Sequence, residues 1–74
     1  MENQHRKIKG YRELSSVEIE RMNKIKQLAS LVGELVETLE QDNTTDKRWL
    51  EIGKTDLQKG FMSMTRSVAQ PTTF

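Results

Sequence analysis

The feature that most limits what this chain can fold into is the recurrence of apolar residues at Met22, Ile25, Ala29, Val32, Val36 and Leu39. Steps that alternate between three and four residues trace one face of an α-helix, whereas a half-buried strand would alternate every second residue. Leu28, Leu31 and Leu35 widen that face beyond the narrow seam of a two-stranded coiled coil. Just upstream, Ser15-x-x-Glu18 has the spacing of a capping box, in which the serine oxygen accepts a backbone N–H and the glutamate returns a bond. Ser16 is a nearly equal candidate for the cap. The pattern predicts a first helix over 15–41.

Residues 42–46 (DNTTD) are turn formers, with Thr45 or Asp46 placed to cap a second helix. That helix is predicted over 47–70, with Leu50, Leu57, Phe61, Met64 and Val68 on one face and Trp49, Ile52 and Met62 off it. Pro71 stops it, leaving 71–74 as a tail, and 1–14 reads as a basic N-terminal arm. Gly33, Gly53 and Gly60 each cost a helix about 1 kcal/mol against alanine, so close helix approach is their expected use. Gly60 before Phe61 could equally mark a bend. A turn this short makes the two helices antiparallel neighbours. The expected architecture is therefore all-α: one domain formed by an antiparallel helical hairpin with a short N-terminal arm.

A lone hairpin has little apolar surface to set against the conformational entropy lost when its helices order. The extra width of the first helix's apolar face has no use in a monomer, and an obligate oligomer is expected. On a heptad register with Met22 at a, Lys26 falls at e, bordering a partner subunit. A pocket between chains is then geometrically natural. The alternative is that Lys26 pairs with a neighbouring glutamate.

Charge is unevenly spread. The net charge is only +1, yet seven of the twelve Lys/Arg fall by residue 26. Antiparallel folding puts Glu34, Glu37, Glu40, Asp42, Asp46 and Glu51 at the turn end and gathers the N-terminal cations with Lys59 and Arg66 at the open end. Tyr11, the single tyrosine, sits among those cations, after Lys7, Lys9 and Gly10 and before Arg12. An aromatic plate among cations suits a ligand carrying both bases, which stack, and phosphates, which take charge-assisted hydrogen bonds. The alternative is a solvated basic arm whose tyrosine packs on its own hairpin. The near-zero total disfavours a polymeric nucleic acid and favours a small anion or a local patch.

Catalysis finds little footing. There are no cysteines, and the lone His5 lies in a polar N-terminus with no second metal ligand arranged beside it. Every carboxylate fits an exposed helix face or the turn, no serine or threonine has a histidine partner, and Gly10 stands alone rather than in a phosphate loop. No cofactor is expected. No apolar run is long enough for a membrane span or signal peptide, so a cytosolic protein is expected.

Two stretches carry a resemblance. KIKGYRELSSVEIERMNKIK at residues 7–26 and RWLEIGKTDLQKGFMSMTRSVAQPT at residues 48–72 resemble the small phage anti-CBASS sponge proteins. The segments GYREL followed by MNKIK, and RWxxIGxTDxQxGFM followed by RSVAQP, carry it; the middle of the chain is less distinctive. The resemblance implies a phage-encoded, non-enzymatic protein in the cytoplasm of an infected bacterium. It would bind cyclic oligonucleotide second messengers, such as cyclic GMP–AMP, and keep them from their effector uncleaved. It further implies a compact helical homo-hexamer with separate pockets for cyclic dinucleotides and cyclic trinucleotides. By the same resemblance Tyr11 is the stacking residue and Lys26 the phosphate-binding residue of the dinucleotide pocket. Gly10 would let that segment turn, and Arg12 is a further candidate there. Arg66 belongs to the trinucleotide pocket, while Leu28 stands where helix one would be expected to offer a short polar side chain. A pair of Tyr11 rings and a pair of Lys26 ammoniums from related subunits would match the two-fold symmetry of a cyclic dinucleotide. Two other readings stay open: a helical oligomer that binds RNA or DNA through its basic end, and a structural or adaptor phage protein.

Overall fold

The computed structural model describes residues 13–72 as two helices, α1 (Ser16–Gln41) and α2 (Lys47–Ala69), and no strand occurs among these residues. The all-α hairpin expected from the apolar periodicity is the fold observed. Residues 1–12, which hold Gly10, Tyr11 and Arg12, lie outside the described residues, as do 73 and 74.

Ser15, not Ser16, caps α1. Its hydroxyl accepts the Glu18 backbone N–H at 3.2 Å, and the Glu18 carboxylate accepts the Ser15 N–H at 2.9 Å, so both halves of the capping box form. At the other end Asp42 adopts an extended conformation and donates its N–H to the Leu39 carbonyl. Its carboxylate accepts the Thr44 amide at 2.8 Å and the Thr44 hydroxyl at 2.7 Å, which holds the turn. These two bonds keep the Asp42 carboxyl below its ordinary range, with Lys47 adding a smaller push the same way. Of the two candidate caps for α2, Asp46 fills the position, accepting from the Arg48 and Trp49 amides at 3.0 and 3.2 Å. Thr45 instead donates its hydroxyl back to the Leu39 carbonyl at 2.8 Å, tying the turn to the last turn of α1.

Helix α2 runs unbroken through Gly60 and ends at Ala69, one residue short of the expected 70. Gln70 takes the left-handed conformation with φ of 45°, and its N–H bonds the Arg66 carbonyl at 2.8 Å. Glutamine has no special tolerance for that conformation, unlike the glycine usual at such caps. Pro71 follows and bars further helix.

The interior is thin. Val36 and Ala69 alone are buried among the described residues, and Met22, Ile25, Ala29, Val32, Leu50, Phe61 and Val68 are half-buried along the seam. Leu28, Leu31 and Leu35 remain 50%, 60% and 56% exposed, and Trp49 is 63% exposed with the Arg48 guanidinium 5.3 Å from its ring centre. The expectation that glycines allow the two helices to approach closely is not met within the hairpin. A side-chain carbon added at Gly33, Gly53 or Gly60 meets nothing within 4 Å. An ion pair clasps the helices near the turn, Lys54 to Glu40 at 2.9 Å, and that hydrogen bond raises the Lys54 pKa.

Candidate functional site

Two open concavities follow one another along the hairpin, meeting at Ala29, Phe61 and Met62. They differ in chemistry because the two helices sort their charged residues along the axis. The concavity nearer the turn, about 590 Å³, is walled by Val32, Val36 and Leu57 and edged by Glu37, Glu40 and Lys54. Its cation is matched by the carboxylates beside it, Glu40 in direct contact.

The concavity nearer the open end is the same size, about 590 Å³, within the range of small-ligand sites. Its floor is apolar, with Ile25, Ala29, Phe61 and Ala69, and Pro71 closes its far rim. Lys26 comes to it from α1, and Lys59 and Arg66 come from α2. Among the described residues lining it there is no carboxylate. Ser63 and Thr65 add hydroxyls that can donate to an anion. An apolar floor under cations and hydroxyls is what a ligand with flat rings and phosphate groups requires: rings pack on the floor while phosphates meet the rim.

Helix geometry explains the juxtaposition. Lys26 lies a turn before Ala29 on α1, and the antiparallel return of α2 sets Arg66 opposite that stretch. Among the described residues Lys26 makes no ion pair, so the glutamate partner considered for it does not occur there. Lys26 and Arg66, expected in separate pockets, thus line one concavity within a single hairpin. Leu28 points away from it, on the exposed flank with Leu31 and Leu35. Sequence reasoning passed over Lys59, Phe61, Met62 and Ser63 as site residues. A signal was available for two of them: Lys59, Ser63 and Arg66 are spaced by four and three residues, one stripe of a helix. No helix among the described residues is long and apolar enough to cross a membrane.

Comparison with known proteins bears on what such a hairpin does. The model of the Acb2/Tad1 hairpin domain matches residues 3–69, nearly the whole chain. Anti-CBASS protein 2 of Pseudomonas phage JBD67 is 34% identical over 105 aligned positions, spanning 96% of this chain and 97% of that protein.

Proposed function

The chain belongs to the Acb2/Tad1 hairpin family, and from that premise we propose that it is a non-enzymatic anti-CBASS sponge. It binds cyclic oligonucleotide second messengers in an infected bacterium and withholds them from the effectors they would activate. Cyclic dinucleotides are the first class of ligand, with Tyr11 stacking on a base and Lys26 holding a phosphate, Gly10 and Arg12 shaping the same arm. Cyclic trinucleotides are the second class, through Arg66. The working form is a homo-oligomer, a hexamer by the family resemblance, in which partner copies complete each pocket.

The observation that carries the reading is the concavity at the open end, whose described lining holds Lys26 and Arg66 over an apolar floor and no carboxylate. A small anion with flat rings fits it, and nothing in its described lining is equipped for chemistry: it holds no carboxylate, histidine or cysteine. Sequestration needs tight binding alone. The exposed leucines of α1 support the assembly, since a monomer would leave them in water.

Calorimetric titration with cyclic GMP–AMP, followed by denaturation and recovery of the ligand, tests this. Tight binding with the ligand returned intact is the expected result. Absence of heat across a panel of cyclic di- and trinucleotides would overturn the reading, and recovery of a linearised ligand would make the protein an enzyme instead.

A further inference from the structure

Helix α1 carries a second regular stripe beside the one that faces α2. Leu28, Leu31 and Leu35 are 50%, 60% and 56% exposed. Their alternation of three and four residues continues upstream to Lys24 and Arg21 and downstream to Thr38 and Asp42. All of these positions are exposed, and none lines either concavity. The ends of the stripe are opposite in sign: cations toward the open end, leucines in the middle, a hydroxyl and a carboxylate at the turn. The Asp42 carboxylate takes both Thr44 bonds on one oxygen, Oδ1, which leaves its second oxygen to meet a cation.

We propose that this stripe is where a second copy of the chain docks, with the two α1 helices antiparallel. The proposal rests on the homo-oligomer of the proposed function and gives it a face and a direction. A stripe of this period fits the same stripe on another helix, and its order of charges decides how the two run. Parallel pairing sets Arg21, Lys24 and Asp42 each against its own counterpart, like charge on like charge at both ends. Antiparallel pairing brings unlike ends together. Two antiparallel registers, one heptad apart, keep leucine on leucine. In the first, Leu28 meets the second copy's Leu31, but Lys24 falls on its Leu35, which covers an ammonium with hydrocarbon and supplies no opposite charge. In the second, Leu31 meets Leu35, Leu28 meets Thr38 and Lys24 meets Asp42, each contact repeated by the two-fold axis. The charges select this second register, an overlap from Lys24 to Asp42 of about 27 Å of helix. Because no residue of the stripe lines a concavity, the contact leaves both open to ligand and to further copies.

The chain has no cysteine, so disulfide trapping reads the arrangement directly. Leu28→Cys and Thr38→Cys are made as separate variants, with circular dichroism to verify their helices and sedimentation to give the mass of the parent. In the selected register positions 28 and 38 lie opposite one another, while each is about 15 Å along the helix from its own counterpart. A disulfide spans roughly 4.4–6.8 Å between Cα atoms. Under mild oxidation each variant alone should stay uncoupled, and the two refolded together should give a covalent dimer. Lys24→Glu, which sets a carboxylate against Asp42, should weaken association about tenfold at low salt, and less as salt rises. Self-coupling of Leu28→Cys alone overturns the antiparallel direction. No covalent dimer from the mixture, or parent-like association of Lys24→Glu, overturns this face while an oligomeric parent keeps the assembly standing. A monomeric parent overturns both.

Discussion

Leu31 offers a test in which the monomeric and assembled forms of this hairpin predict opposite signs. It is 60% exposed on α1, flanked by Leu28 and Leu35, which are exposed as well. Taking a leucine's full surface as roughly 200 Å², about 120 Å² stays in water; covering it with a partner copy at ~25 cal/mol per Å² contributes about 3 kcal/mol per chain. Leu31→Ala would forfeit most of that, about 2–3 kcal/mol, and more if a cavity persisted at the interface. In a free hairpin the same substitution removes little covered surface, and alanine's better helix propensity would offset that loss by a few tenths of a kcal/mol. Urea unfolding at several protein concentrations, with sedimentation equilibrium alongside, separates the cases. The expected outcome is a parent midpoint that rises with concentration, as linkage requires of an oligomer, and a variant whose midpoint and mass both fall. A concentration-independent parent, with Leu31→Ala equal to it or more stable, would refute the reasoning and leave the leucine stripe as ordinary surface.

The site predicts its own pattern. Tyr11→Ala and Lys26→Ala should each weaken cyclic dinucleotide binding by about 1–3 kcal/mol through lost stacking or a lost charged bond, while Arg66→Ala spares dinucleotides and weakens trinucleotides; calorimetry on both ligands checks the assignment. Ser15→Ala removes the hydroxyl that accepts the Glu18 amide and should lower stability by about 1 kcal/mol in thermal or urea unfolding. Asp42 titrates below its ordinary range because the folded turn hydrogen-bonds its charged form, so its contribution is fully present above the unfolded carboxylate range and is lost as pH falls through the lowered folded value. An acid titration of stability should therefore show a shallow decline on that limb which Asp42→Asn flattens, and an unchanged decline would discount the Thr44 bonds.

Local signals in this sequence were readable where a short segment fixes its own geometry. The Ser15–Glu18 spacing needs only one helical turn to become two hydrogen bonds, and both form. Asp42 to Asp46 likewise read as a turn, though the choice between Thr45 and Asp46 as cap depended on where the Leu39 carbonyl lies, which only the folded hairpin supplies. The glycines misled because helix periodicity says nothing about which stretch of the partner helix will stand opposite. Within one hairpin their missing side chains open onto space. The meeting of Lys26 with Arg66 was hidden for the same reason: forty residues separate them in sequence, and the register of α2 against α1 decides that they share a concavity. Tyr11, Gly10 and Arg12 rest on resemblance and on the neighbouring cations, since they lie outside the described residues.

The left-handed step at Gln70 has a practical consequence. Just past that step Pro71 lines the open-end concavity, so a bulky group attached at the exposed Thr72 would sit beside the proposed site. An affinity tag or fluorophore there would compete for the space it is meant to report on. The hairpin's opposite end is free of this: from Lys26 to Gln41 α1 rises about 22 Å, and Asn43 is exposed in the turn. A dye carried on a cysteine introduced there, in a chain that has no other thiol, would label each copy once and away from the proposed site, so that subunit counting and ligand titration could be done on the same molecules.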